Sequence, residues 1–304
     1  MNTADIKSQN TIVLGFPEYE AQAQRFASAA RLPYSTLNLH LFPDGESKLQ
    51  LPAKLPDHII LCRSLDRPND KLVELILAAA GARDLGAKTV SLLAPYLCYM
   101  RQDKAFHEGE IISQKIIGQC LADYFDSVLT VDAHLHRVHY LRDAIPIENA
   151  VNITATEPMA HFIQEHVDQP YLMGPDGESE QWVVAIATHS QMDYGVALKE
   201  RYGDKQVNVH VPEGNYQGRN MVLVDDVAST GKTLLEATKS LSKYKPASIS
   251  VLVTHALFVD DAIPQLQKAG VNNIWSCDSI PHPTNTVQLA HSLAQAMSQI
   301  SATL

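Results

Sequence analysis

Val222-Leu223-Val224-Asp225-Asp226-Val227-Ala228-Ser229-Thr230-Gly231-Lys232-Thr233 is the stretch on which the reading of this chain turns. Three apolar residues open it, the mark of a short buried strand. Two carboxylates follow, then small and hydroxyl-bearing residues around Gly231. Leu234 to Leu241 reads as the start of an amphipathic helix. The predicted order is therefore strand, tight loop, helix N-terminus. Such a loop turns backbone N–H groups and the positive end of a helix dipole toward an anion, typically phosphate. Asp225 and Asp226 at the strand end suit sugar hydroxyls, or a magnesium ion bound to them. Gly231-Lys232-Thr233 imitates the end of a Walker A loop, but that loop needs a glycine five residues before its Gly-Lys pair, and Asp226 stands there. The plainer alternative is a turn with a capping Ser or Thr. The doubled Asp argues against it.

Working outward, apolar runs alternate with helical stretches along the whole chain. Strands are predicted at Thr11–Leu14, Ser35–Phe42, Ile59–Cys62, Thr89–Leu93, Val128–Val131, Tyr171–Met173, Tyr194–Leu198, Val207–Val211, Ser248–Thr254 and Val271–Trp275. Helices are predicted at 18–30, 69–81, 111–125, 154–165, 182–188 and 287–304. This alternation implies parallel sheets with crossover helices, whose ligands sit beyond the carboxyl ends of the strands. Ile145–Ile153 reads as the crossing into a second domain. The two halves repeat one pattern of strand, helix and acid-bearing loop, which suggests two related domains.

The length, 304 residues, suits two domains of ordinary size. Apolar residues make up 45% and charged residues 19%, a folded composition. The formal charge of −10 and the absence of a basic cluster argue against a nucleic-acid partner. No apolar run approaches membrane-spanning length, and the polar start MNTADIKSQN lacks an apolar signal core. The four cysteines form no CxxC pair and are expected as reduced core thiols. A cytoplasmic location is the expectation.

Several loops after strand ends carry chemistry. Pro43-Asp44-Gly45-Glu46 is a turn by composition. Tyr96, Tyr99, Arg101, Gln102, Asp103 and Lys104 cluster past the Thr89–Leu93 strand. There an aromatic can stack on a base, Arg101 can fork onto phosphate, and Gln102 and Asp103 can read base edges. Asp132-Ala133-His134-Leu135-His136-Arg137, with His139 beyond, follows Val131. A single His touching a phosphate or completing a magnesium shell fits better than a zinc site. Gly174-Pro175-Asp176-Gly177 places a carboxylate on a turn suited to hydrated magnesium, although acids there also serve as dipole partners. Lys199-Glu200-Arg201-Tyr202-Gly203-Asp204-Lys205 is the densest basic patch. It reads as a solvated hairpin tip or as a flexible arm that brings Lys199 and Arg201 to a phosphoryl group.

The opening loop resembles the phosphoribosyl pyrophosphate loop, and the ordered set of motifs resembles the ribose-phosphate pyrophosphokinases over nearly the whole length. Phe42-Pro43-Asp44-Gly45-Glu46 is similar to the family's Phe-x-Asp-Gly-Glu turn, Tyr99 to Asp103 to its Tyr-x-Arg-Gln-Asp, and Thr130 to His134 to its Thr-Val-Asp-x-His. Pro175-Asp176 and Lys199-Glu200-Arg201 match its Pro-Asp and Lys-x-Arg. The resemblance implies two related α/β domains of type I phosphoribosyltransferase-like fold, each a mainly parallel sheet flanked by helices. An ATP-binding domain would cover 1–150, with helix 287–304 packing back on it. A ribose 5-phosphate domain would cover 151–286. It implies diphosphoryl transfer from ATP to ribose 5-phosphate with Mg²⁺, and Lys199 and Arg201 as catalytic residues. Phe42, Asp44, Glu46, Arg101, Gln102, Asp103 and His134 would bind ATP. Asp225, Asp226, Ala228, Ser229, Thr230, Gly231, Lys232 and Thr233 would bind ribose 5-phosphate, and His134 and Asp176 the metal. The turn at Phe42 would reach the adenine in a neighbouring subunit, so a homo-oligomer, dimer or hexamer, is expected.

Lys232 departs from the pattern, which usually has a second glycine there. The histidine-glutamate stretch at His107-Glu108-Gly109-Glu110 and Met100 are more like divergent or archaeal-type members. Two alternatives stay open at this point: a type I phosphoribosyltransferase, and a non-catalytic regulatory paralogue.

Overall fold

The computed structural model describes residues 10–135, 137–202 and 206–303, with backbone alone for 199–202 and 206–208. The chain divides into two compact units, Met1–Ile153 with Leu289–Leu304, and Thr154–Gln288. Each is built on a six-stranded parallel sheet.

In the first unit the strands are β1 (Thr11–Gly15), β2 (Tyr34–Thr36), β5 (His58–Cys62), β6 (Thr89–Leu93), β7 (Ser127–Val131) and β8 (Asn149–Ile153). Their order across the sheet is β2-β1-β5-β6-β7-β8. A separate antiparallel hairpin joins β3 (Asn38–Leu41) to β4 (Ser47–Gln50). The helices are α1 (Glu20–Ala30), α2 (Pro68–Asp84), α3 (Ser113–Tyr124) and the short α4 (Leu141–Ala144). The central strands are buried on both faces, as continuous runs such as Ile59-Ile60-Leu61-Cys62 require. Leu14, Leu61, Leu75, Leu92 and Val128 form one core, each burial contributing about 1.5–3 kcal/mol.

The second unit repeats the plan. Its strands are β9 (Pro170–Gly174), β10 (Asp193–Val196), β13 (Asn220–Ala228), β14 (Ser248–Ala256), β15 (Asn273–Cys277) and β16 (Asn285–Val287), in the order β10-β9-β13-β14-β15-β16. Its hairpin joins β11 (Leu198–Tyr202) to β12 (Gln206–His210). Helices α5 (Thr156–His166), α6 (Glu180–Ser190), α7 (Lys232–Ser242) and α8 (Ala262–Lys268) flank the sheet. The last helix, α9 (Ala290–Thr303), packs on α1 of the first unit.

Some elements differ from their sequence reading. Ile145–Ile153 is not a crossing segment, because Asn149–Ile153 pairs with Ser127–Val131 as the edge strand of the first sheet. Its two asparagines hide the apolar pattern. The predicted strand Ser35–Phe42 breaks at the buried Leu37 into β2 and β3. Strand β13 does not stop at Val224 but runs through both aspartates to Ala228, paired with β14 from Asn220 to Asp225 and again at Val227 and Ala228. The segment read as a hairpin tip or flexible arm lies in a hairpin, but Lys199 to Tyr202 belong to its strand β11, with Lys199 opposite Val209 and Arg201 opposite Val207.

Candidate active site

In both units the chain leaves the first strand in one direction and returns on its other side. The topological switch points are therefore β9/β13 and β1/β5, where open α/β sheets bind ligands at the carboxyl ends. At β9/β13, pairing with β9 ends at Leu223, while β14 follows β13 on to Ala228. The aspartates thus stand where one side of the strand has lost its neighbour. Asp226 is buried, and the Asp225 side chain still reaches solvent in part. Asp225 Oδ1 accepts the backbone N–H of Asp226 at 3.0 Å. Burial, then the charges of Asp226 and Asp176, push the Asp225 carboxyl well above the ordinary carboxylate range. Three acids are thus gathered within electrostatic reach at one sheet end.

Asp176 follows Gly174-Pro175 at the end of β9. It caps the 3-10 turn Gly177–Ser179, where its Oδ1 accepts Glu178 N–H at 3.1 Å and Ser179 Oγ donates to its carbonyl at 2.6 Å. Gly174 has to be glycine: a Cβ there would stand 2.6 Å from Ser179 Oγ and 3.4 Å from Val183 Cγ2.

The loop after β13 is fixed from the β14 side. Leu257 N–H donates to the Ala228 carbonyl at 2.9 Å and Val259 N–H to that of Ser229 at 3.2 Å. Gly231 adopts φ 68° as the N-cap of α7, and no side chain caps that helix. Leu234, Ala237 and Leu241 anchor it to the core. Ser229 and Thr233 are half-buried, while Thr230 and Lys232 are exposed. Lys232 opens α7 without crowding the loop. A cation at a helix N-terminus is unfavourable unless an anion offsets it.

The matching crevice of the first unit is filled. Where the second unit carries Asp225 and Asp226, β5 is followed by Arg63. Its guanidinium lies 4.0 Å over the Phe16 ring, 2.6 Å from Glu18 and 2.5 Å from the buried Glu74. Glu74 in turn accepts Ser47 Oγ of the hairpin at 2.6 Å. The hairpin turn is tied by Phe42 N–H to the Glu46 carbonyl at 2.8 Å and by Glu46 N–H to Asp44 Oδ1 at 3.2 Å. It leaves Phe42, Asp44 and Glu46 exposed.

The other candidate residues of the first unit gather two and three strands from β1. After β6, Tyr99 takes φ 60° and its hydroxyl donates to Asn69 Oδ1. Arg101 is exposed, and Gln102 is held by Ser113 Oγ at 3.3 Å. After β7, Asp132 is buried at φ 39°, and its N–H donates to the Ile153 carbonyl at 2.8 Å. Such backbone strain persists only where the surroundings hold it, typically at functional sites. His134 follows, half-buried. Arg137 Nη1 donates to Asp103 Oδ1 at 2.6 Å and so joins the two loops. The sequence reading gave Arg137 no role. An Arg beside a motif His was the available signal, but its pairing partner lies 34 residues away.

Lys199 and Arg201 lie on β11, and their side chains, like His136 and residues 203–205, fall outside the described residues. His134 belongs to the first unit and Asp176 to the second. Among the described residues no three His, Cys, Asp or Glu side chains converge as a ready-made metal shell. The carboxylates do fit a divalent cation whose other ligands come from a phosphorylated substrate, since that charge would offset their repulsion. Among the described residues no helix is long and apolar enough to cross a membrane.

Two parallel sheets with paired switch points, one of them acidic and ending in a glycine-gated helix N-terminus, define a protein of two phosphoribosyltransferase-type units. The pattern described as the N-terminal domain of ribose phosphate pyrophosphokinase matches residues 12–124, and that of the phosphoribosyl transferase domain matches 152–292. A ribose-phosphate pyrophosphokinase of Methanobrevibacter smithii is 30% identical over 270 residues, covering 84% of this chain and 89% of its own length. That of Methanopyrus kandleri is 29% identical over 293 residues, 95% of this chain and 99% of its own. The chain belongs to the ribose-phosphate pyrophosphokinase family, and both of these relatives are archaeal. In fold it is similar to the phosphoribosylpyrophosphate synthetase of Mycobacterium smegmatis, with a TM-score of 0.81 at 19% identity over 97% of this chain and 100% of that one.

Proposed function

We propose that this chain is a ribose-phosphate diphosphokinase, which makes 5-phosphoribosyl 1-pyrophosphate and AMP from ATP and ribose 5-phosphate. The observation that carries the reading is the acidic switch point at β9/β13 running into the Gly231 helix start. It pairs hydroxyl acceptors with a phosphate cradle at one strand end. Asp225 and Asp226 hold the ribose hydroxyls. Ala228 to Thr233 grip the 5-phosphate through backbone N–H groups and hydroxyls, and Lys232 adds a cation at the helix start. Phe42, Asp44, Glu46, Arg101, Gln102 and His134 bind ATP, with the buried Asp103 supporting them.

In the reaction the anomeric oxygen attacks the β-phosphorus. The bond from that phosphorus to the α,β-bridging oxygen breaks, AMP leaves with that oxygen, and the hydroxyl proton goes to solvent. Protein catalysis of such a step consists of positioning and charge neutralisation. Lys199 and Arg201 stabilise the phosphoryl group in flight. His134 and Asp176 are the residues that would each contribute to holding Mg²⁺ with the substrates, and the ion would supply further charge neutralisation. Loss of one electrostatic group of this kind costs about 10²–10³ in turnover. Lys199→Ala and Arg201→Ala are therefore expected to lower kcat by that order with a much smaller change in ribose 5-phosphate binding. Near-normal turnover in either would remove the catalytic-arm assignment.

We propose a homo-oligomer, a dimer or a hexamer, in which the exposed Phe42 turn serves a neighbouring copy. Leu41, Phe42, Val73 and Leu77 leave apolar surface on the hairpin and on the outer side of α2. Phosphorus NMR of the products tests the reaction. A diphosphoryl group on the anomeric carbon, with AMP, is expected; ADP with a ribose bisphosphate would overturn diphosphoryl transfer.

A further inference from the structure

We infer that Arg137 is a nucleotide-phosphate ligand of the first unit, held in place by Asp103. The inference deepens the ATP-binding reading and rests on it. From sequence alone Asp103 is a candidate to read a base edge. The structure leaves it little surface for that: its side chain is 3% exposed, whereas that of its partner Arg137 is 49% exposed. Of the two, the guanidinium is the member a ligand can meet.

The form of the ion pair supports the same assignment. Arg137 gives one nitrogen to Asp103 Oδ1 at 2.6 Å, while Asp103 Oδ2 is buried with no hydrogen-bond partner among the described residues. An arginine–carboxylate pair kept only for stability favours the two-pronged form that satisfies both oxygens. Here a single prong fixes the guanidinium and leaves its other N–H donors available. A planar, always-charged fork of donors suits phosphate oxygens.

The location fits as well. Asp103 closes the segment after β6, which carries Arg101 and Gln102. Arg137 lies in the loop after β7, which carries His134. That loop is pinned by Ala133 N–H on Asn152 Oδ1 at 2.9 Å and by strained Asp132. The pair therefore ties together the two strand ends that hold the candidate ATP residues. A chain with a formal charge of −10 has to meet a polyanion with local cations. Burying the acid of this pair and exposing its base gives that polarity. Arg137 is thus a ligand and Asp103 a positioning residue that acts through it.

The test uses the full chain as wild type, Arg137→Ala, Arg137→Lys and Asp103→Asn. Calorimetric titration with ATP and magnesium, without ribose 5-phosphate, is combined with steady-state kinetics. Arg137→Ala is expected to weaken ATP binding about 10–100-fold and to raise KM for ATP with it, leaving KM for ribose 5-phosphate unchanged. Arg137→Lys keeps the charge and loses the fork, so it should fall between Arg137→Ala and wild type. It carries the test if the alanine variant does not fold. Asp103→Asn should weaken ATP binding less than Arg137→Ala does. Unchanged ATP affinity in a folded Arg137 variant would overturn the inference. So would equal losses for both substrates together with a lowered Tm, the signature of a purely structural pair. A wild type that binds no ATP would instead count against the nucleotide reading of the first unit, and the Arg137 assignment would fall with it.

Discussion

Asp225 shows what the site costs the fold. Its carboxyl is raised by burial and by Asp226 and Asp176, so its ionised form is destabilising at neutral pH. A neutral isostere removes that repulsion. Asp225→Asn is expected to raise Tm by a few degrees at pH 7 while lowering turnover at least about tenfold, because in the proposed function the ribose hydroxyls would lose a charged acceptor. Thermal unfolding beside an activity assay checks this, and a lower Tm would show that the three acids do not repel one another. Lys232 belongs to the same scale. In the sequence it departs from a pattern that usually has a second glycine there. The structure gives the positive φ of 68° to Gly231 and leaves Lys232 exposed at the first turn of α7.

At the scale of elements, two contacts decide how the first unit holds together. Helix α3 meets α4 so closely that a Cβ at Gly118 would fall on the Ala144 carbonyl oxygen. Gly118→Ala is expected to destabilise the protein by about 1–3 kcal/mol or more, read as a lower denaturation midpoint. An unchanged midpoint would mean that α4 can withdraw freely. A polar ladder crosses the sheet below: His58 Nε2 lies 2.7 Å from Ser91 Oγ, which accepts Ser127 Oγ at 2.7 Å. Burial lowers the His58 pKa. The unfolded chain therefore binds this proton more readily than the folded one, and stability falls as pH drops below about 6.5. His58→Gln is expected to flatten that part of the pH–stability curve, and a curve of unchanged slope would exonerate His58.

The elements also show what the sequence could tell. Buried central strands were legible because both faces are apolar, as at Thr89–Leu93, found with its observed bounds. Three edge or hairpin strands were not. Strand β4 (Ser-Lys-Leu-Gln) and β16 (Asn-Thr-Val) carry almost no apolar period, and β8 is interrupted by asparagines. The candidate site was legible where chemistry sits in contiguous motifs, as from Asp225 to Thr233. It was not legible where it depends on pairing across the chain, as in Asp103 with Arg137 or Ser47 with Glu74.

The whole molecule is two copies of one plan put to different uses. Both units share strand order, switch point and a hairpin after the second strand. One switch point keeps its acids. The other is closed by Arg63 with Glu18 and Glu74, and its helix holds Ser47 at the base of the Phe42 turn. If that turn serves a neighbouring copy, subunits must complement each other. A mixture of Phe42→Ala and Lys199→Ala chains, each nearly inactive alone, is expected to regain a substantial part of wild-type turnover once subunits exchange, through sites that combine an intact turn with an intact arm. No recovery in verified mixed oligomers would confine each turn to its own chain.

AMP release from ATP and magnesium, measured with and without ribose 5-phosphate, decides whether the chain transfers a diphosphoryl group to a sugar phosphate. AMP is expected only when the sugar phosphate is present, alongside a product that a phosphoribosyltransferase consumes. A folded, ATP-binding chain that releases no AMP under these conditions would rule diphosphoryl transfer out.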